Sequence, residues 1–344
     1  MRAEFPLSFN HIMKRKHWVH IYSVGLAVAF ALSFSALAAE HESYSLATVV
    51  KIVGINWFKR MEIGVRRFGR DTGNKTELVG PAAADSSKQI QIVEDLIAKR
   101  VNGLVVIPFQ PQAMEPVLKE ALEHKIAVVT HEASDIKNAD YDLEAFDNKS
   151  YGEHLMEALA KLMNYEGEYV VYVGSKTSRT HNEWVDAAVA LQKRKYSKMK
   201  LIEDKIETRD DPQIAYSKTK ELLGAHPNIK GFQGSGSTDV AGIGRAVEEA
   251  RLENKTAVVG TSLPSIAKKY LATGAVDLIS FWDPADAGYV ANKIALMVLQ
   301  GQKITDGMDL GVKGYEKVKL VGRNRVYGQA WTDVTKDNLS RYDF

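Results

Sequence analysis

The sequence has 344 residues, 45% of them apolar and 26% charged, the balance of a globular chain long enough for about two domains. Its 45 Lys and Arg against 43 Asp and Glu leave a formal charge of +2, so bulk charge gives no reason to expect nucleic-acid binding. There is no cysteine, which excludes disulfides, thiol catalysis, a cysteine metal site and a cysteine-borne lipid anchor.

The first 40 residues differ from the rest. Lys14, Arg15 and Lys16 precede an apolar run from about Ile21 to Phe34, which ends at Ala36-Leu37-Ala38. A basic cluster, a short apolar run and an A-x-A site make a secretory signal peptide. Residues 1–38 are therefore expected to be removed, leaving a protein freely soluble outside the cytoplasm. A membrane anchor is the competing reading, but the run is short of the ~20 residues a span requires. Starting translation at Met13 would leave the pattern intact. Loss of the leader removes Arg2, Lys14, Arg15 and Lys16 with Glu4, which takes the formal charge from +2 to about −1.

From about Ser45 to Asp147, short apolar runs alternate with amphipathic stretches. Thr48–Ile55, Thr76–Val79, Gly103–Ile107 and Ile126–Thr130 read as strands. Phe58–Asp71, Ser87–Lys99 and Met114–Glu123 read as helices. The rhythm restarts after Asp147. Helices are expected at Tyr151–Met163, Glu183–Arg194, Pro212–Leu223, Val240–Ala250, Ile266–Ala272 and Ala287–Leu299. Strands are expected at Tyr169–Val173, Leu201–Ile206, Gly231–Gln233, Thr256–Val259 and Val276–Phe281. Near-continuously apolar strands spaced by helices imply parallel sheets covered on both faces. Two such units make an α/β protein of two doubly wound lobes. Without a low-complexity linker, the crossings between them are expected to be short. The segment after Gln300 is polar, and the pattern alone does not assign it.

In open α/β sheets ligands sit beyond the carboxyl ends of the strands. Those ends carry Asn56-Trp57-Phe58, His131-Glu132, the loop 175–182 followed by Trp184, the loop 234–239, and Trp282-Asp283. Trp57, Trp184 and Trp282 gather near these loops. Aromatic rings suit the apolar faces of a carbohydrate, and amides, carboxylates and histidines suit its hydroxyl edges; the tryptophans could equally be packed strand ends. Glu132 could accept hydroxyl hydrogen bonds or be a solvated loop acid. His181 could donate to a ligand edge or be an exposed loop histidine. Lys51 lies inside an apolar strand, where it either faces a cleft or snorkels at a sheet edge. The Gly234-Ser235-Gly236-Ser237 loop could cradle a phosphate at a helix start or be a plain polar loop. There is no G-x-S-x-G, Walker A or H-E-x-x-H sequence, and the nine histidines are scattered. No enzyme, metal or cofactor is expected.

The segments VKIVGINWF (50–58), GPAAADSSKQIQIVEDLIAKRVNGLVVIP (80–108), AVVTHEAS (127–134), EAFDN (144–148), HNEW (181–184), FWD (281–283) and the terminal RYDF give a combined resemblance. From about residue 46 to the end, the chain resembles the sugar-type, ribose-binding-like periplasmic substrate-binding proteins of ABC importers. Within that group it is most similar to the autoinducer-2-binding and rhamnose-binding members. The resemblance implies the type I periplasmic binding protein fold, two lobes joined by three crossings. The crossings fall near Phe146-Asp147, near Trp282-Asp283 and after about Lys313. The first lobe would comprise 39–146 and 284–313, the second 147–283 and 314–344.

The resemblance also implies ligand-binding positions. Lys51 matches a ligand-contacting lysine of the autoinducer-2-binding members, and Trp57, Phe58 and Trp282 match aromatic positions of their cleft. Glu132 stands where the family has Asp. Thr180 and His181 stand where those members have Asp and Gln, and Ser235 and Ser237 where they have Pro and Ala. With Asn56, His131 and Asp283 these complete the expected site. The ligand is expected to be a pentose, deoxyhexose, polyol or autoinducer-2-like molecule. The expected partner is an ABC membrane permease, with the chain acting as a monomer. The alternative is a sensor that feeds a chemoreceptor or sensor kinase. A sugar-responsive regulator would need a DNA-binding helix-turn-helix where the leader stands, and an exported sugar-modifying enzyme would show turnover.

Overall fold

A computed structural model describes residues 43–344; the leader assigned to residues 1–38 lies outside the described residues. The first lobe opens with β1 (Ser45–Val49), α1 (Asn56–Thr72), β2 (Lys75–Val79), α2 (Ser86–Ala98), β3 (Gly103–Val106), α3 (Pro111–Glu123), β4 (Ala127–His131) and β5 (Tyr141–Glu144). The second contains α4 (Asn148–Leu162), β6 (Gly167–Val173), α5 (Arg179–Lys195), β7 (Met199–Leu201), β8 (Ile206–Glu207), α6 (Pro212–Ala225), β9 (Ile229–Gly234), α7 (Asp239–Glu249), β10 (Ala257–Thr261), α8 (Pro264–Thr273) and β11 (Leu278–Phe281). The chain continues through α9 (Pro284–Leu299), β12 (Lys319–Val321), β13 (Arg325–Tyr327) and β14 (Thr332–Val334).

Two sheets result, ordered β12-β13-β5-β4-β3-β1-β2 and β14-β11-β10-β9-β6-β7. Their pairings are parallel except at the late strands, β12 with β13 and β14 with β11. β3, β4 and β10 are buried along their whole length, as strands covered on both faces must be. α1 buries Trp57, Phe58, Met61, Gly64, Val65 and Phe68 along one face and stops at Gly73 in the left-handed conformation. α9 returns to the first lobe. Asn292 donates to Thr48 Oγ1 of β1 at 3.0 Å, and a Cβ at Gly64 of α1 would overlap the Ala285 carbonyl.

Two crossings end in the same device. Asp147 caps α4 by accepting from Ser150 N at 2.8 Å, and Asp283 caps α9 by accepting from Ala285 N at 2.8 Å. Each follows an aromatic residue, Phe146 or Trp282. Phe146 meets Trp282 edge-on at 5.1 Å and Trp331 at 5.4 Å, so aromatic residues beside all three crossings touch.

Four sequence expectations need correction. The first strand ends at Val49, not Ile55, so Lys51 lies in the loop beyond the strand and not inside it. β5 was not assigned, because Tyr141-Asp142-Leu143-Glu144 alternates polar and apolar residues over only four positions. The strand expected at Leu201–Ile206 is two short pieces, β7 and β8, which pair with opposite ends of β6. The tail is also divided. β13 pairs with β5 in the first sheet, where Val326 is fully buried, and only β14 joins the second. The third crossing therefore lies between Tyr327 and Thr332, later than the expected point after Lys313. Three-residue strands carry too little alternation to be read from a sequence.

Candidate functional site

The carboxyl ends of both sheets face each other across a small cavity, lined from the first lobe by Lys51, Ile55, Trp57, Phe58 and Glu132 and from the second by His181, Trp184, Asp210, Ser235, Ser237 and Thr261, with Trp282 at the second crossing. Lys51, Trp57, Phe58, Glu132, His181, Ser235, Ser237 and Trp282 are thus brought together as expected. The other four expected residues lie outside the lining. Asn56 is exposed at the start of α1 and reaches Ser265 Oγ at 3.4 Å. His131 is buried behind Glu132, its Nδ1 2.6 Å from the Leu143 carbonyl. Thr180 is buried at an interlobe contact, donating to Glu144 Oε1 at 3.3 Å. Asp283 is taken by Arg60, which grips it with two bonds of 2.9 and 2.6 Å.

The aromatic wall is built from three chain segments. Trp57 meets Trp282 edge-on at 4.7 Å, and Trp184 meets Trp282 at 5.8 Å. Trp184 is fixed by a 2.8 Å bond from its Nε1 to Asn148 Oδ1. The Trp282 Nε1 is buried without a partner, as is the Ser235 hydroxyl. A buried donor left unpaired is costly, so both are groups a ligand can satisfy.

Asp210 was missed by the sequence reading. It stands in Thr208-Arg209-Asp210-Asp211-Pro212, where Asp211 caps α6 through Gln213 N at 2.7 Å. A second aspartate beside a sufficient cap was the available signal. Arg209 and Asp210 both have φ of 56°, a left-handed pair that turns the carboxylate into the cleft. Glu132 has φ of 61°. Such conformations cost roughly 1–2 kcal/mol per residue and accumulate at functional sites. Gly174 and Gly236 make room for Asp210, since a Cβ on either would stand 2.8 or 2.9 Å from its Oδ1.

Asp210 Oδ2 lies 3.0 Å from Lys51 Nζ, with both side chains under a tenth exposed. Burial works against the Lys51 ammonium, but Asp210 and Glu132 outweigh it and its pKa stands above the ordinary value. Burial likewise works against the Asp210 carboxylate, and the charge of Lys51 pulls its pKa below the ordinary value. The pair joins the two lobes, as do Arg209 to the Ala84 carbonyl at 3.3 Å and Ser134 to Glu183 at 2.8 Å. The lobes are closed.

His181 is neutral. Burial, and after it the charge of Lys51, pushes its pKa down to about 3. The Gly174 N–H donates to its Nδ1 at 3.1 Å, so the single ring proton is on Nε2 and the free edge is a donor. The Gly234–Ser237 loop is not a phosphate cradle. Asp239 accepts from Ser235 N at 3.1 Å, Gly236 N at 2.7 Å and Thr208 Oγ1 at 2.7 Å. Two of the loop's amides are therefore occupied by a carboxylate, and burial followed by the Asp210 charge raises the Asp239 pKa to about 7.

Two α/β lobes that close a polar, aromatic-walled cavity on three crossings define a solute-binding protein. The chain belongs to the periplasmic binding protein family, whose domain model matches residues 46–303. It is similar to the D-allose-binding periplasmic protein of Escherichia coli K12, 26% identical over 285 residues that cover 80% of this chain and 89% of the other. It is 24% identical to the D-xylose-binding periplasmic protein of the same organism over 288 residues, 82% and 86% of the two chains. Its fold is similar to that of an ABC transporter solute binding protein from Clostridium phytofermentas with bound L-rhamnose, with TM-score 0.81 and 20% identity over 87% of this chain and 98% of the other. LsrB from Clostridium saccharobutylicum in complex with AI-2 also gives 0.81, at 19% identity over 87% and 100% of the chains.

Proposed function

We propose that this protein captures a small hydroxylated ligand, a sugar or sugar-like molecule, and delivers it to an ABC import permease. One observation carries the reading: a closed cavity between the lobes offers tryptophan faces beside a neutral histidine donor, unpaired hydroxyl and indole donors, and carboxylate acceptors. Trp57, Phe58, Trp184 and Trp282 cover the apolar faces of a ring. Glu132 and Asp210 accept from hydroxyls, and Lys51, His181 Nε2, Ser235 and Trp282 Nε1 donate. The names of the curated relatives support a monosaccharide ligand and a periplasmic location. The leader-like segment 1–38 fits export, and a monomer that presents its closed form to the permease is the simplest mode of action. Sensing through a chemoreceptor would use the same closed form.

The test is a thermal-shift panel of allose, ribose, xylose, arabinose, rhamnose, a polyol and autoinducer-2. A ligand that binds only the folded state stabilises it by about 2.7 kcal/mol at a hundredfold excess over Kd. At least one member should raise the midpoint at submillimolar concentration. A panel that leaves it unmoved throughout removes the proposed ligand class.

A further inference from the structure

The end of the chain makes a contact across the cleft that the binding site does not use. Phe344 belongs to the second lobe: its carbonyl accepts from Ser265 N at the start of α8 at 2.8 Å, and its ring meets Phe281 of β11 edge-on at 5.9 Å. Its other partner is in the first lobe. The Arg60 guanidinium of α1 lies 3.8 Å from the centre of the Phe344 ring. Arg60 is held for this by its two bonds to Asp283, the residue at which the second crossing enters α9. One guanidinium thus grips the hinge with its edge and covers the tail of the opposite lobe with its face. Beside it, Asn56 of α1 reaches Ser265 of α8. Arg60 lies one turn beyond Trp57, which lines the cavity, while neither Arg60 nor Phe344 lines it.

We propose that Arg60 and Phe344 form a clasp that sets the population of the closed form, and through it the affinity and residence time of the ligand, without touching the ligand. They are positioning residues for binding. The inference rests on the binding reading given above. When the lobes part, α8 leaves α1, so Phe344 leaves the guanidinium while Asp283 stays with it. The contact exists only on the closed side of the equilibrium. Weakening it lowers the fraction of binding-competent protein and raises the apparent Kd in proportion. A cation over an aromatic face contributes about 0.5–2 kcal/mol, so removing the ring should weaken binding about two- to thirtyfold.

The experiment compares the parent chain with Phe344→Ala, Phe344→Leu and Phe344→Tyr, using the panel sugar that binds best. Dissociation is followed by stopped-flow tryptophan fluorescence, and unliganded melting is measured alongside. Phe344→Ala should release ligand several-fold faster with little change in association or unliganded midpoint. Phe344→Tyr, which keeps the ring face, should restore the parent rate; Phe344→Leu, which keeps only bulk, should not. Dissociation from Phe344→Ala within twofold of the parent, or equal rates for Leu and Tyr, overturns the clasp. If Phe344→Ala fails to fold, the comparison of Leu with Tyr carries the test.

Because the chain has no cysteine, spin labels at Glu94→Cys and Glu221→Cys report the interlobe distance directly. If no panel sugar changes that distance in the parent, the binding reading has failed by itself. The ligand-free distance distributions of parent and Phe344→Ala then decide the clasp, and identical distributions overturn it.

Discussion

Closing the cleft brings Lys51 of the first lobe and Asp210 of the second to 3.0 Å, out of water on both sides. Removing one partner leaves the other charge buried and uncompensated, which costs about 3–5 kcal/mol in a site of this kind. In the open form each group can be hydrated, so the cost falls on closure and appears as lost affinity. With about 1.36 kcal/mol per tenfold, Lys51→Met or Asp210→Leu alone should weaken binding by about two to nearly four orders of magnitude. The double variant replaces the pair by apolar groups and removes the orphaned charge. It should lose only the hydrogen bonds proposed from Lys51 and Asp210 to the ligand, each worth about 0.5–1.5 kcal/mol. Titration calorimetry on the four proteins closes a double-mutant cycle. Strictly additive losses, or single variants within fivefold of the parent, would refute the claim that the ion pair is an interlobe element of closure. The sign with pH follows from the two shifts. The Asp210 pKa is lowered, so its contribution holds above the ordinary 3.8 and fades as pH falls through the folded value. The Lys51 pKa is raised, so its contribution holds below the ordinary 10.5 and fades as pH rises through the folded value. Between those limits this pair should leave binding flat.

Two further outcomes are expected. His181, with its pKa lowered from 6.5 to about 3, takes up a proton in the unfolded chain but not in the fold across that window, so its contribution to stability falls as pH drops from about 6.5 to about 3; His181→Asn should flatten the fall, and an unchanged profile in acid melts would contradict a neutral buried ring. Trp282 is 2% exposed and packed against Trp57, Phe146 and Trp184, so Trp282→Ala should cost about 3–5 kcal/mol of stability as well as affinity, and a denaturation midpoint equal to the parent's would show that the residue is only a ligand contact.

The lobes were legible because their strands are buried on both faces and read as uninterrupted apolar runs, bounded by helices that stripe every three to four residues. What escaped lies where the chain has little length in which to express a period. β5, β12, β13 and β14 are three or four residues long. β1 shows a different failure. The run Val49-Val50-Lys51-Ile52-Val53 is β-branched at every position but Lys51, yet the strand stops at Val49, and the loop beyond carries Lys51 into the cleft. At the site, residues that follow a continuously apolar run were found, as Glu132, His181 and Trp282 were. Asp210 follows β8, a strand of two residues, and had no such marker. Asp283 and Thr180 were placed in the site by position alone. Their polar atoms are committed to Arg60 and Glu144, a matter of side-chain direction that sequence position does not encode.

The charge balance of the cavity narrows the ligand further than the residue types do. Among the described residues Lys51 is the only lysine or arginine in the lining, and Asp210 already compensates it. Glu132 adds a second acid, and His181 is neutral. A sugar phosphate or sugar acid would place its anion beside two carboxylates, with Lys51 already paired to Asp210 and the Ser235 and Gly236 N–H groups held by Asp239. Like charges brought together in a desolvated site cost several kcal/mol. A neutral polyhydroxylated ring meets none of that cost: its hydroxyls can donate to Glu132 and Asp210 and accept from His181 Nε2, the Trp282 indole and the Ser235 hydroxyl. Uncharged sugars should therefore bind, and their phosphorylated or oxidised counterparts should not.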